Sequence, residues 1–200
     1  MILEGIVTSV AADGEINIAP MGPEVSPSME RLLLKPFRTA QTFRNLAAHG
    51  EGVFHVTDDV LLLAQAALGV VAPRPELFAA ERVGGYVLRD CCRYYEFRVS
   101  GSDTSQERAR LDAVVLKCGR LRDFFGFNRA KHAVVEAAIL ATRTDFLPLE
   151  AIDAEFHKLA TIVAKTGGAQ EHRAFDLLRG HVARVKEERA GASGGKQCLS

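Results

Sequence analysis

The 200-residue sequence contains no tryptophan and only three tyrosines, so aromatic stacking would depend on its eleven phenylalanines. It also lacks a charge bias, because 25 lysines and arginines balance 25 aspartates and glutamates. Non-specific nucleic-acid binding uses an excess of basic charge, so this balance argues against a nucleic-acid partner. No stretch approaches the roughly 20 apolar residues of a membrane span, and no membrane association is expected.

Cysteine is scarce, and its spacing fits no metal site. Cys91, Cys92, Cys118 and Cys198 contain no Cys-x-x-Cys pair, and a zinc site needs ligands that converge on one point. Adjacent Cys91 and Cys92 are expected to point to opposite faces of a strand. The chain begins directly with a strand-like pattern, so no signal peptide is expected. Reduced thiols and a cytoplasmic location are the expectation.

Several catalytic motifs are missing as well. The sequence has no Walker-type loop, and its one Gly-x-Ser-x-Gly match, Gly191–Gly195, lies in the predicted flexible tail, so it does not support a hydrolase or a nucleoside triphosphatase. Asp58 and Asp59 are adjacent acids, but acids at a helix start are more typical of capping than of metal binding. His132 and Glu136 lie four residues apart without further ligands, which favours an exposed hydrogen-bonded pair. No metal site is predicted.

The first 120 residues are rich in strand patterns. Apolar residues on both faces of 2–10 indicate a strand buried on both sides, as in a small barrel. A turn at Asp13-Gly14 leads to a second strand over 15–19, and prolines then predict a loop over 20–29. Thr39 is expected to cap a helix that ends near His49. Further strands are predicted at 32–34, 53–56, 86–88, 94–99 and 108–117, with a short helix from Thr57 or Asp58 to Gly69 and a surface excursion over 70–83.

The apolar period then becomes helical. Helices are predicted over 128–142, from Pro148 to about Lys165, and over 169–187. Phe124–Phe127 reads as a hydrophobic hinge that docks the helices, or alternatively as an arm toward a ligand or a second subunit, with Asn128 and Arg129 left open. The predicted domains are 1–120, 121–188 and a flexible tail over 189–200.

The strongest chemical signal lies where Lys35–Asn45 leaves a strand and opens a helix. A helix start offers unpaired N–H groups and a partial positive charge, which favour an anion. Arg38 presents a planar fork that matches phosphate, Lys35 presents a point charge, and Thr39 and Thr42 carry hydroxyl donors. The alternative is that Thr39 is an ordinary N-cap and the cations are solvated.

The segment Asn17–Gly22 forms a tight, apolar stretch of backbone at the end of a strand. Pro20 removes a backbone donor, and Gly22 permits close approach of a ligand. The alternative is a strand end followed by a loop. A flat apolar shelf beside a phosphate socket is what a mononucleotide such as FMN needs.

Taken together, these segments make the sequence resemble a family of uncharacterised prokaryotic proteins with an FMN-binding split-barrel fold and an appended C-terminal helical domain. The implied fold class is α+β and β-rich: a split β-barrel followed by a small helical domain. The resemblance spans the chain to about residue 188. It rests on Met1–Glu4, Asn17–Gly22, Lys35–Leu46, Val56–Asp59, Gly126–Arg143 and Lys165–Gly168 with Glu171.

The resemblance implies FMN as the cofactor, a homodimer with flavin at its interface, and relatives among flavin reductases and pyridoxamine-phosphate oxidases. It implies that the shelf lies against the isoalloxazine ring, and that Lys35, Arg38, Thr39 and Thr42 hold the phosphate. His55 departs from the small or amide side chain expected at its position. The implied cofactor-binding set is Asn17, Ala19, Pro20, Met21, Gly22, Lys35, Phe37, Arg38, Thr39, Thr42, Asn45 and Thr57.

The leading functional prediction is an FMN-binding oxidoreductase or reductase, with no side chain assigned as catalytic and no substrate named. Because the cofactor carries the chemistry in such proteins, the absence of an acid–base constellation fits this prediction. It fits equally a non-catalytic flavin-binding module that serves as a carrier, sensor or scaffold. A third hypothesis is a structural or regulatory dimer whose helical half recruits a protein partner.

Overall fold

The computed structural model describes residues 1–194, which form two compact units. The first unit contains residues 1–58 and 71–125, and the second contains residues 59–70 and 126–194. Segment 59–70 therefore belongs to the same compact unit as the C-terminal helices. The sequence-based ranges 1–120 and 121–188 stay a prediction about independently folding domains.

The first unit is built on an antiparallel sheet of seven strands in the order β2-β1-β5-β8-β9-β4-β3, with β6 and β7 forming a separate hairpin. Its core is lined by Val7, Leu34, Phe54, Phe97 and Leu111. The strands are β1 Gly5–Val10, β2 Ile16–Met21, β3 Glu24–Val25, β4 Arg31–Leu34, β5 Glu51–Val56, β6 Leu77–Ala79, β7 Tyr86–Leu88, β8 Arg93–Asp103 and β9 Arg110–Arg120.

The ends of this sheet meet at β3. On one side β3 pairs with β4, and on the other Glu24 bridges to Ile2. Two backbone hydrogen bonds support the bridge, from Leu3 N–H to the Pro23 carbonyl at 3.1 Å and from Val25 N–H to the Met1 carbonyl at 2.9 Å. Because Met1–Leu3 runs directly into β1, the curled sheet closes there. Among the described residues no ladder joins β2 to the chain that follows β4, so the barrel is split along β2.

The predicted α+β split barrel followed by helices is confirmed. The two-sided burial predicted for the first strand is also confirmed, since Ile6 and Val7 on opposite faces are both fully buried. The predicted loop over 20–29 is wrong in part, because β2 continues through Pro20 to Met21 and β3 follows. Proline fits here because β2 is an edge strand, where its missing N–H removes no ladder bond.

The helix in this unit, α1, spans Gln41–His49, and Gly50 ends it in the left-handed conformation. Its predicted cap is wrong: Ala40 is the N-cap residue and provides no side-chain hydrogen bond. Segment 70–83, predicted as a surface excursion, contains β6, whose hairpin with β7 packs against β5 and β1.

The second unit consists of α2 Val60–Ala67, α3 Arg129–Ala141, α4 Leu149–Thr166 and α5 Ala169–Gly194. Val60, Leu63 and Ala64 of α2 share one apolar core with α3, α4 and α5. The cap of α2 is Asp59 rather than Thr57 or Asp58. Since α5 continues to Gly194, residues 189–194 of the predicted tail are helical, and 195–200 lie outside the described residues. None of the helices described combines the length and apolarity that crossing a membrane requires.

Cys91 and Cys92 precede β8 instead of lying within a strand, so the predicted alternation of faces does not arise. Both are buried, and burial raises the pKa of the Cys91 thiol to about 12. In the segment predicted as a hydrophobic hinge or an arm, Phe125 and Phe127 are 85% and 95% exposed. Asn128 caps α3 by accepting hydrogen bonds from the Ala130 and Lys131 N–H groups.

Candidate functional site

The start of α1 lacks the side-chain cap that most helices have. Ala40 occupies the N-cap position in an extended conformation, and the first turn contains no acidic residue. The backbone N–H groups of Gln41, Thr42 and Phe43 donate to no residue in 1–194. Such N–H groups at a helix start are what an anion binds.

Arg38 and Thr39 lie next to these N–H groups, and both side chains are exposed. Neither side chain forms a hydrogen bond or an ion pair within the described part of the chain. The Arg38 backbone N–H donates to the Glu107 carbonyl at 3.0 Å, which fixes the backbone before the helix. The Arg38 guanidinium and the Thr39 hydroxyl therefore lie beside the uncapped start of α1 and are available to bind an anion.

Lys35 is placed differently. Its ammonium forms an ion pair with Glu24 of β3, and this contact holds the pKa of the Glu24 carboxyl below its ordinary value. An ammonium that already has a carboxylate partner is a weaker anion ligand than the Arg38 guanidinium.

Phe37 lies between Lys35 and Arg38 and forms an isolated antiparallel bridge with Arg108. The Arg108 guanidinium lies 4.1 Å from the centroid of the Phe37 ring, a cation–π contact. Arg108 was missed at the sequence level, as was Glu24. Their proximity depends on pairing between distant strands, for which the local pattern offers no signal.

The pairing of β2 with β1 determines which backbone groups of β2 face the open edge of the barrel. The hydrogen bond from Ala11 N–H to the Glu15 carbonyl sets the alternation of the β1–β2 ladder. Counted from this pair, Asn17, Ala19 and Met21 direct their backbone groups toward β1. Ile18 and Pro20 therefore present theirs outward, on the open edge.

Gly22 lies against the side chains of Glu4 and Ile2. A Cβ atom there would lie 2.8 Å from Glu4 Oε1 and 2.9 Å from Ile2 Cγ2. The helix α1 packs against β2, so the two predicted segments lie next to each other in the fold.

A buried polar network connects these two segments. The Asn17 side-chain amide donates to Thr42 Oγ1 at 3.0 Å and to Ser9 Oγ at 3.4 Å. Asn45 Nδ2 also donates to Ser9 Oγ, at 3.0 Å, and Asn45 Oδ1 accepts from Gln41 at 2.7 Å. Thr42 and Asn45 are each only 3% exposed. Three predicted site residues therefore meet here, with their side chains bonded to the protein itself.

The remaining predicted positions lie close to the barrel wall. Ala19 and Met21 are half-buried on β2, and Met21 packs against the barrel core. Thr57 is half-buried just after β5. His55 is fully buried and satisfied: Nδ1–H donates to the Ile6 carbonyl at 3.1 Å, and Nε2 accepts from Leu88 N–H at 3.0 Å. Burial lowers the pKa of His55 to about 4, so the ring is neutral.

The acids considered as metal ligands have structural contacts. Asp59 Oδ1 accepts from the Leu61 and Leu62 N–H groups at the start of α2. Asp58 is buried and accepts from Arg122 at 2.5 Å and from Phe125 N–H at 2.9 Å. Within residues 1–194, no three His, Cys, Asp or Glu side chains are grouped so that they could hold a metal ion.

Comparison with known proteins identifies two matching family models. Residues 3–122 match the model described as "Protein of unknown function (DUF447) N-terminal domain". Residues 128–180 match the model described as "Protein of unknown function (DUF447)". No curated protein matches the sequence.

Solved structures share the fold. A crystal structure of an FMN-bound DUF447 protein from Methanosarcina mazei is 22% identical, with 90% of this chain and 94% of that chain covered and a TM-score of 0.78. A flavoredoxin from Methanosarcina acetivorans is 13% identical, with 60% and 68% covered and a TM-score of 0.52. A 2-nitrobenzoate 2-nitroreductase from Pseudomonas fluorescens is 15% identical, with 58% and 64% covered and a TM-score of 0.51.

Proposed function

This chain belongs to the DUF447 family, and from that membership we propose that it is a flavoprotein that binds FMN at the opening of its split barrel. The observation that carries the proposal is the start of α1, where uncapped N–H groups stand beside Arg38 and Thr39, whose side chains have no partner in the described chain. The Methanosarcina mazei member of the same family is FMN-bound.

We define the phosphate subsite as Arg38, Thr39 and the N–H groups of Gln41–Phe43. Arg38, Thr39 and these N–H groups would hold the FMN phosphate, because a guanidinium matches the geometry of a phosphate and the hydroxyl and N–H groups are donors. The partial positive charge of the helix start adds to the attraction for a dianion. Lys35 contributes less because Glu24 neutralises it.

We define the ring edge as the outward backbone of Ile18–Gly22. The Ile18 N–H and C=O and the Pro20 carbonyl, which point away from β1, would hold the isoalloxazine ring of FMN. Bound FMN supplies hydride or single-electron transfer, and the protein contributes binding, orientation and electrostatics. This division of labour requires no acidic or basic side chain at the ring.

We further propose that the protein is an oxidoreductase or reductase that works as a homodimer with flavin at the interface. In support, the fold is shared with a nitroreductase and with an NADH:FAD oxidoreductase from Streptomyces globisporus. Anaerobic mixing with NADH or NADPH is expected to bleach the flavin absorption at a catalytically useful rate. A flavin that stays oxidised would favour a carrier, sensor or scaffold instead.

The phosphate subsite is tested by titration with FMN and with riboflavin. A charge-assisted contact contributes about 1.5–3 kcal/mol, so FMN is expected to bind about ten- to hundredfold more tightly. Arg38→Gln should remove most of this preference. Arg31→Gln on β4 is the matched control, because it removes an exposed arginine of the same unit outside the subsite. Equal affinities in the wild type would contradict the assignment, and a protein that binds neither flavin would contradict the proposed function.

A further inference from the structure

We propose that Asn17 and Thr42 are positioning residues that hold the phosphate subsite at a fixed distance from the ring edge. This inference rests on the proposed FMN binding and deepens it. Asn17 precedes the ring edge on β2, and Thr42 lies in the first turn of α1, whose N–H groups belong to the phosphate subsite. The 3.0 Å hydrogen bond between their side chains joins the two parts of the site directly.

The contacts around the Asn17–Thr42 hydrogen bond fix its geometry and shield it from water. Ser9 Oγ accepts from both Asn17 and Asn45, and Asn45 in turn accepts from Gln41. Ser9, Thr42 and Asn45 are each at least 97% buried, so water does not compete for these groups. A hydrogen bond in such a setting fixes orientation, whereas an apolar contact would let the helix slide along the strand.

The burial also explains why these side chains are not phosphate ligands themselves. Thr42 Oγ1 accepts from the Asn17 amide, Asn45 bonds with Ser9 and Gln41, and both Thr42 and Asn45 are only 3% exposed. Arg38 and Thr39 are exposed and hold no such partners among the described residues. The segment Lys35–Asn45 thus separates into exposed residues suited to bind phosphate and buried residues suited to fix their place.

The distance between the phosphate subsite and the ring edge matters for a ligand that is held at both ends. FMN uses the ring edge and the phosphate subsite at once, so a preorganised distance lowers the ordering cost of binding. Riboflavin lacks the phosphate and uses the ring edge alone. Loosening the Asn17–Thr42 bond should therefore weaken FMN binding more than riboflavin binding.

The test measures the ratio of the riboflavin Kd to the FMN Kd by flavin fluorescence quenching. Thr42→Val keeps the shape of the side chain and removes the hydroxyl, and the ratio is expected to fall about threefold to tenfold. Thr42→Ser restores the hydroxyl and should return the ratio to the wild-type value. Asn17→Ala also removes the longer 3.4 Å contact with Ser9, so combined with Thr42→Val it should lower the ratio by less than the sum of the two single effects, because the two substitutions share the Asn17–Thr42 bond.

Thr8→Val is the matched control. Thr8 is a buried threonine on β1 next to Ser9, and its side chain lies on the opposite face of the strand, where its hydroxyl donates to the Tyr86 carbonyl at 2.5 Å. This variant should lower the melting temperature and leave the ratio unchanged. If Thr42→Val does not yield folded protein, Asn17→Ala gives the same comparison from the strand side.

The outcomes separate the two proposals. A wild type that binds neither flavin overturns the FMN proposal and this inference together. A wild type that prefers FMN, with the same ratio in Thr42→Val and Asn17→Ala, overturns only the positioning role. A ratio that falls equally in Thr8→Val would show general destabilisation and would also overturn it.

Discussion

His55 illustrates how a buried residue links stability to pH. Its ring is neutral, with Nδ1–H bonded to the Ile6 carbonyl and Nε2 bonded to Leu88 N–H. Burial lowers its pKa from 6.5 to about 4 in the folded chain. Between these values the unfolded chain binds the proton and the folded chain does not, so the free energy of unfolding falls as the pH falls through this window.

Chemical denaturation at pH 7.5 and at pH 5.0 checks this effect. The free energy of unfolding is expected to be about 2 kcal/mol lower at pH 5.0 because of His55. His55→Gln removes the titrating ring, so the variant should be less stable at pH 7.5 and lose less on acidification. The same pH dependence in the variant and the wild type would show that other groups cause the loss.

Individual residues also show which features of the candidate site can be predicted from the sequence and which cannot. The sequence locates a helix start with cations and hydroxyls at Lys35–Asn45, because these residue types are recognisable without a partner. It does not separate exposed Arg38 and Thr39 from buried Thr42 and Asn45. That division depends on where Ser9 and Asn17 lie on neighbouring strands, which is a tertiary relation.

At the scale of elements, the β6–β7 hairpin is fastened to the sheet by side chains that bind its backbone. Glu96 is fully buried and accepts from Glu81 N–H at 3.0 Å and from Arg82 N–H at 2.5 Å. Glu51 accepts from Gly84 N–H at 2.7 Å. The tip of the hairpin is therefore held by two carboxylates of the sheet.

Glu96→Gln should loosen this hairpin selectively. The amide keeps one acceptor oxygen and turns an N–H₂ group toward backbone donors, so we expect a loss of about 1.5–3 kcal/mol in unfolding free energy. Hydrogen exchange of residues 77–88 should accelerate more than that of β1 or β5. Glu51→Gln serves as the comparison, with a smaller effect because Glu51 is only half-buried. Uniform acceleration across the sheet would contradict a selective role in holding the hairpin.

Elements with strong internal patterns could be predicted, and short ones could not. The two-sided apolar pattern of β1 and the helical periods of α3, α4 and α5 reflect burial that repeats along each element. The strands β3 and β6 have only two and three residues, so partners distant in sequence decide them. Prolines beside β3 suggest a loop, and the pairing with β4 outweighs that local preference.

At the scale of the whole molecule, the two compact units are interleaved along the chain. The first unit is interrupted by segment 59–70, which belongs to the second unit. Local sequence could not show this, because α2 lies between β5 and β6 of the first unit and its apolar residues suit either core. A domain boundary at residue 120 predicts that the barrel folds without the C-terminal helices, and this prediction can be tested.

A fragment of residues 1–125 retains α2 but lacks α3, α4 and α5, against which Val60, Leu63 and Ala64 pack. Each large apolar side chain left exposed forfeits about 1.5–3 kcal/mol of burial. We expect the fragment to associate in solution and to melt at a lower temperature than the full chain, as measured by light scattering and circular dichroism. Leu63→Gln within the fragment should reduce the association, whereas in the full chain it should destabilise the helical core. A monomeric fragment as stable as the full chain would show that the barrel folds without the helices and that the predicted boundary at residue 120 is a true domain limit.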